Sequence, residues 1–440
     1  MLHKASGLCR AWRKTLVLSR TLWIHVRGPP QFVDLCLSRS ASLPLRVTLS
    51  DGASPQVIKS LKSHLSRVRS LRICLPASKI HSVLDELSTP SPILQSFDVE
   101  IPLTKSGKPP TTPKKLLKQW STSHLPHIFP ENPTLTELYL RNIPLAPAFL
   151  NLTSVTTATL HHSDWTQSHI LNFLSANKNL EKLSISGKMD HTPKPEPVPH
   201  PIISLPRLKL LVLSNMDPND VLRHLKVPRG AHLELNCDPN LPLPNPNLKN
   251  LLLLEDWCYT HEKVSGVLTK TLTSTGPSGS VRVKWVMCTP WVEFFAPFAP
   301  SRARKLHLRN IDTEGCRTPG TLEALLESMN HLEVVIIDGA FHKLPCAILA
   351  RRGPAPICPF LHTVVYCHAW NNFISYSVGS VAKCRYEAPG VPPLKRLIIA
   401  TNVHLPSTTE LRDLSFYVDS LELRMTTQVP ETWEEPSTDW

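Results

Sequence analysis

The fold class that this sequence predicts is α/β: short parallel strands laid side by side, with helices or irregular segments on each return path. Three observations carry that expectation. An apolar rhythm with a gap of three and then a gap of two recurs along nearly the whole chain. Amphipathic helical stretches alternate with these strand signals in the first hundred residues, as parallel pairing requires. Proline is abundant and glycine scarce, 43 against 15 in 440 residues, which suits short elements joined by many turns, since proline stops helices and is kept out of central strands.

The rhythm is clearest in PTLTELYLRNI, Pro133 to Ile143, where the apolar residues are Leu135, Leu138, Leu140 and Ile143. It fits neither a helix nor a plain strand, and reads as a bend entering a short strand with Leu138 and Leu140 on its inward face. Copies stand at Leu180, Leu183, Ile185; Leu208, Leu211, Leu213, Met216; and Leu248, Leu251, Leu253. Others stand at Ala303, Leu306, Leu308, Ile311; Leu332, Val335, Ile337, Ala340; Leu361, Val364, Tyr366; and Leu394, Leu397, Ile399, with weaker ones at Val68 and Leu94. Most copies start about 20 to 33 residues apart, which overlaps the leucine-rich repeat period. One unit alone leaves its leucines in water, whereas stacked units bury them in a shared core. The sequence therefore resembles a leucine-rich-repeat solenoid, and the resemblance implies a horseshoe with a parallel sheet inside and helices or irregular segments outside.

Composition narrows the function. Hydrophobic residues make up 41% of the chain, enough for a core, and no run of about 18 apolar residues offers a membrane span. Low glycine argues against phosphate-cradling loops. The 11 cysteines include no C-x-x-C pair, which fits reduced thiols in a cytoplasmic or nuclear protein. A net charge of +13 attracts anions, but the lysines and arginines are dispersed and no nucleic-acid motif accompanies them.

The N-terminal segment is basic and free of acids, as organellar transit peptides also are. Its residue order points elsewhere. Cys9-Arg10-x-Trp12-Arg13 followed by Leu22-Trp23-x-His25-Val26 resembles the C-terminal half of an F-box. In that family the F-box is a small helical module that docks on the Skp-type adaptor of a cullin ubiquitin ligase, and the repeats beyond it select a protein substrate. The resemblance thus implies adaptor-docking or F-box core roles for Cys9, Arg10, Trp12, Arg13, Leu22 and Trp23. The family's opening helix, with its L-P-x-E pattern, has no counterpart here, so the alternative expectation is a repeat protein with no ubiquitin role. The ordinary reading of Trp12 and Trp23 is packed core.

Residues 1–29 are accordingly expected as a truncated F-box-like helical segment, 30–428 as the irregular repeat array and 429–440 as a loose acidic tail. Pro30 to Arg39 reads as a helix with Phe32, Leu35 and Cys36 inward, and Leu43, Leu45, Val47 and Leu49 alternate as a first strand. Val57 to Leu65 and Ile80 to Leu87 read as helices. Insertions are expected near 101–118, a basic proline-rich run, and near 188–201, extended by its prolines. Ser163-Asp164 precedes a helix with Ile170, Leu171 and Leu174. The third insertion, 257–300, is read as a helix from Thr260 to Leu272, a strand from Val281 to Val286, and a bulky loop containing Trp291 and Phe294.

Many leucine-rich repeats place an inward asparagine three residues past the last strand leucine. Here Ile143, Met216 and Ile311 hold that place and Asn142, Asn215 and Asn310 fall one residue earlier, so the corner is expected to be packed by apolar groups with the asparagines as local turn formers. The side chains between the inward leucines face the other side of the sheet, where repeat scaffolds place partner contacts. The candidates are Tyr139, Arg141, His161, Leu210, Val212, Leu252, Lys305, His307, Arg309, Val334 and Ile336. The central set is apolar on both sides, which fits either a covered sheet or a greasy groove flanked by Lys305, His307 and Arg309.

No G-x-S-x-G elbow, H-E-x-x-H helix, Walker loop or dinucleotide fingerprint occurs, so no catalytic, cofactor or metal residues are assigned. Cys358, His362, Cys367 and His368 match no standard zinc spacing. His161-His162-Ser163-Asp164 reads as a strand end and helix cap, not a triad. The expected function is a non-catalytic interaction scaffold without cofactor, similar to the substrate receptors of cullin-type ubiquitin ligases.

Overall fold

The computed structural model describes residues 14–15, 17–87, 91–102, 134–143, 152–161, 166–187, 202–237, 255–264, 267–277, 279–286, 302–309, 319–338, 343–350, 357–367, 378–401 and 408–425. It is a mixed α/β structure dominated by mostly parallel β-sheet. The chain divides into two compact units, Met1–Met216 with Asp220–Pro228, and Asp217–Asn219 with Arg229–Trp440. Among the described residues no helix is long and apolar enough to cross a membrane.

In the first unit a 3-10 turn at Arg20–Trp23 leads into β1 (His25–Val26), α1 (Pro30–Arg39), β2 (Leu45–Leu49), α2 (Pro55–Lys62), β3 (Val68–Cys74), α3 (Ala77–Glu86), β4 (Ser96–Glu100), β5 (Glu137–Arg141) and β6 (Thr157–His161). There follow α4 (Gln167–Ala176), β7 (Lys182–Ser186), β8 (Ile203–Ser204), β9 (Leu210–Ser214), the one-turn α5 (Asn219–Leu222) and β10 (Leu225–Lys226). Strands β1 to β7 and then β9 pair in parallel in chain order, while β8 and β10 form a small sheet of their own. Strand β1 pairs in parallel with β2, His25 opposite Arg46 and Val26 opposite Val47.

The repeating leucines explain the register. Phe97, Leu138, Ala158, Leu183 and Leu211 stand opposite one another on successive strands, and Val99, Leu140, Leu160, Ile185 and Leu213 form a second row two residues on. All ten are buried. Each large aliphatic side chain contributes roughly 1.5–3 kcal/mol on leaving water. A slip of one residue would turn both rows to the other face, so the register is strongly specified.

The first leucine of the rhythm marks a turn. The Leu180 N–H donates to the Asn177 carbonyl at 3.4 Å, Leu208 to Leu205 at 3.2 Å, Leu332 to Met329 at 3.1 Å and Leu361 to Cys358 at 3.0 Å. One carbonyl just before the preceding strand then accepts from two successive N–H groups. The Thr136 carbonyl accepts from Thr156 and Thr157, the Thr156 carbonyl from Glu181 and Lys182, and the Glu181 carbonyl from Lys209 and Leu210. The gap of three is therefore a turn, and the gap of two is the strand it feeds. At the far end Asn142 and Asn215 adopt φ of 57°, a left-handed conformation that asparagine tolerates better than most residues. Ile143 and Met216 are buried beside them, as the apolar corner requires. Asn310 lies outside the described residues.

Local signals place the helices with small errors. In α1 the buried residues are Val33, Cys36 and Leu37, with Phe32 and Leu35 only half-buried. The helix is rotated so that Phe32 meets the Trp23 ring, centroids 6.2 Å apart. Helix α2 begins at Ser54, whose hydroxyl accepts from Val57 N–H at 3.4 Å. Helix α4 is capped by Thr166, whose hydroxyl accepts from the His169 N–H while its own N–H donates to His169 Nδ1; Ser163-Asp164 lies outside the described residues.

The second unit holds β11 (Ala231–Cys237), β12 (Asp256–Val264), β13 (Val267–Gly276), β14 (Gly279–Val286), β15 (Lys305–Arg309), α6 (Pro319–Ser328), β16 (Val334–Asp338), α7 (Lys343–Leu349), β17 (Thr363–Cys367), α8 (Gly379–Glu387), β18 (Leu394–Thr401), α9 (Thr408–Ser415) and β19 (Val418–Met425). Strands β12 and β15 to β19 are parallel neighbours in order. The helix expected over Thr260–Leu272 does not form: this stretch is antiparallel sheet, Asp256 to Val264 running back against Val267 to Thr275. Its threonines and valines are stiff at χ1 and favour strands. Val281–Val286 is strand as expected, inside β14, which pairs antiparallel with β13 and parallel with β11. Trp291 and Phe294 lie outside the described residues.

Candidate functional site

In the first unit the face opposite the leucine rows is polar. Along it, in register, run Thr48, Arg72, Asp98, Tyr139, Thr159, Ser184 and Val212, and beside them Cys74, Glu100, Arg141, His161, Ser186 and Ser214. Tyr139, Arg141, Leu210 and Val212 are half-buried here and His161 is exposed, so these predicted residues do share one face. Leu252, Cys9, Arg10, Trp12 and Arg13 lie outside the described residues.

The face has two characters. On β3 to β5, Arg72 Nε lies 3.3 Å from Asp98 Oδ2 and its Nη2 lies 3.2 Å from Glu100 Oε2, while Arg141 Nη1 reaches the same Glu100 oxygen at 3.4 Å. Two arginines and two acids neutralise one another, a network in which each exposed pair contributes about 0–1 kcal/mol. Asp98 is mostly buried, and its Oδ1 has no hydrogen-bond partner among the described residues. Burial raises its pKa, and the opposing pull of Arg72 and Arg141 does not cancel this. Burial likewise raises the Tyr139 phenol, helped by Glu137 and Asp98. On β6, β7 and β9 the face instead presents Thr157, Thr159, Ser184, Ser186 and Ser214, with Lys182, His161, Leu210 and Val212 and no acid. Sequence reasoning misses the Arg72, Asp98 and Glu100 network because the weak repeat copies at Val68 and Leu94 stand out only through their apolar residues.

In the second unit Lys305, His307 and Arg309 lie on one face of β15, with Cys258 and Ile336 in register on either side of His307. Arg309 Nε is 3.4 Å from Asp338 Oδ2. His307 Nε2 stands 4.0 Å from that oxygen, beyond hydrogen-bonding distance, and is buried without a hydrogen-bond partner among the described residues. Burial, then Arg309 and Lys305, push the His307 pKa down to about 4, so the ring is neutral and packs beside the Arg309–Asp338 pair. Ile336 is 2% exposed and Val334 half-buried, in one cluster with Val365, Cys367, Ile398 and Ala400. This cluster on β16 to β18 is buried. Ile336 is not open to a partner.

Among the described residues, four buried thiols are held in the protonated form. Burial raises Cys36 to about 11 and Cys346, Cys358 and Cys367 to about 12, so each stays protonated at neutral pH. Cys358 Sγ donates to the Leu326 carbonyl at 3.3 Å and His362 Nδ1 lies 2.8 Å from Thr363 Oγ1. Among the described residues no group of His, Cys, Asp and Glu is placed to hold a metal.

At the N-terminal block, Trp23 is 4% exposed, while Leu22 is 38% exposed. The Arg39 guanidinium lies 4.5 Å from the Trp23 ring centroid. Trp23 is thus core of the first unit, and Leu22 is the accessible member of the pair.

No family model matches the sequence. A protein of Dictyostelium discoideum that carries no functional name is 32% identical over 140 residues, covering 31% of this chain and 40% of that protein. The match spans less than half of that relative's length.

Proposed function

We propose that the chain is a non-catalytic interaction scaffold of the leucine-rich-repeat type, which holds a protein partner on the polar strand face of its first unit. The observation that carries this reading is that face itself: rows of mostly polar side chains in register across β3 to β7 and β9, backed by two buried apolar rows that fix their positions. Rigid presentation of side chains from strands is what a repeat scaffold offers a macromolecule. Capture of a partner by the purified chain, lost on Tyr139→Ala with Arg141→Ala at unchanged melting temperature, is the expected result. Undiminished capture by that variant would remove the face from the proposal.

Within this reading the N-terminal block favours a substrate receptor of a cullin-type ubiquitin ligase, docking on a Skp-type adaptor through the region of Leu22. Co-purification of the chain with the adaptor tests it, and absence of a complex at micromolar concentrations of both would exclude it. A scaffold with no ubiquitin role is the second reading. It is favoured by the burial of Trp23 against Phe32 and Arg39, which leaves that ring occupied within the chain.

A further inference from the structure

The polar face of the first unit changes in charge from one end to the other, and the change bears on the kind of partner it accepts. Between β3 and β5 the arginines are already matched by Asp98 and Glu100. At β7 and β9 the cations outnumber the acids. Glu181, just before β7, is the acid around which Lys182, Arg207 and Lys209 gather. Lys209 Nζ binds its carboxylate at 2.7 Å, and Lys209 first, then Arg207 and Lys182, hold the carboxyl below its usual range. One acid among three cations leaves an excess of positive charge, since Lys182 and Arg207 are exposed and neither forms a close ion pair among the described residues. Next to Lys182 in register stands Leu210, and next to Ser184 stands Val212, both half-buried on the same face. Neighbouring strands are about 4.8 Å apart, so a cation, a hydroxyl and an aliphatic shelf lie within the span of a short stretch of extended chain.

We infer that the β7–β9 end of this face binds an acidic, extended peptide segment of a partner protein, its carboxylates set against Lys182 and Arg207 and an aliphatic side chain resting on Leu210 and Val212. Charge complementarity selects this occupant: the excess charge is cationic, and the surrounding hydroxyls of Ser184 and Ser186 can donate to carboxylate oxygens. The inference rests on the scaffold reading above but is independent of any adaptor.

The test uses the full chain and a fluorescein-labelled decapeptide alternating Glu and Leu, with a matched peptide in which Gln replaces every Glu. Fluorescence anisotropy is expected to show binding of the acidic peptide that weakens at least about tenfold from roughly 50 to 500 mM NaCl, as screened charges require, and no saturable binding of the Gln peptide. Lys182→Glu with Arg207→Glu is expected to weaken binding more than about tenfold, and Lys59→Glu on α2 to leave it unchanged. Both altered residues are exposed, and a melting temperature equal to that of the parent chain confirms folding. Equal affinity for the two peptides, or undiminished affinity of the double charge reversal, would overturn the proposal. Peptide binding that persists without adaptor binding removes the ligase reading alone; adaptor binding without peptide binding removes this one alone.

Discussion

The side-chain amide of Asn142 donates to the backbone carbonyl of Ile101 at 2.8 Å while its own backbone sits at φ 57°. One residue thus turns the chain out of β5 and ties that corner to the end of β4. Asn142 is buried, so the carbonyl it satisfies has no water to replace it. Asn142→Gly keeps the left-handed conformation and loses the bond, whereas Asn142→Ala loses both. Urea denaturation should rank them wild type, then Gly, then Ala, with losses of about 1–3 kcal/mol for the bond and about 1 kcal/mol more for the strained alanine. Equal stabilities for Gly and Ala would show that the backbone conformation costs nothing there.

Leu138 lies between Phe97 and Ala158 in the first buried row. Leu138→Ala should cost about 2–5 kcal/mol through lost burial and a residual cavity. Leu138→Asp places a charge inside an apolar row and should prevent folding of the first unit. A cooperative melt of the aspartate variant at the parent temperature would show that the row is not core.

His307 predicts a pH dependence. Its folded pKa is depressed to about 4 from 6.5, so the unfolded chain binds the extra proton first as pH falls. Stability due to the neutral ring is therefore complete above pH 6.5 and is lost as pH drops from there toward 4, by up to about 3 kcal/mol. His307→Gln should flatten the denaturation midpoint across that window. A variant profile parallel to the parent's would mean the ring is not buried in the neutral form.

Asp98 acts in the opposite sense. Its pKa is raised by burial, so the folded chain holds the proton more tightly and gains stability as pH falls through the folded value. At neutral pH the charged form is the costly one. Asp98→Asn should therefore match or exceed the parent in stability at neutral pH and lose that advantage in acid; a large loss at neutral pH would show that the Arg72 pairing outweighs burial.

Trp23 and Leu22 separate structure from docking. Trp23→Ala should destabilise the first unit by about 3–5 kcal/mol, and Arg39→Ala by about 0.5–1 kcal/mol through the lost cation–π contact. Leu22→Ala should leave the melting temperature nearly unchanged. Adaptor binding that survives Leu22→Ala undiminished would place any docking surface elsewhere.

The sequence by itself determined the strand rhythm, because burial on one face repeats as a spacing: Leu135, Leu138, Leu140 and Ile143 are all 0% exposed, and the matching residues of the other described copies are buried too. It also marked Asn142 and Asn215 as turn residues, a property of a single backbone position. It misleads at Thr260–Leu272, where strand pairing with β14 and β15 overrides a weak local helical pattern. Only the tertiary structure decided which second face is covered. Ile336 and Val365 look alike in sequence to any half-exposed strand, and their burial depends on what packs above them. Charge pairing was equally invisible, since Arg72, Asp98, Glu100 and Arg141 come from strands up to 69 residues apart in the chain and meet only because parallel register sets them side by side.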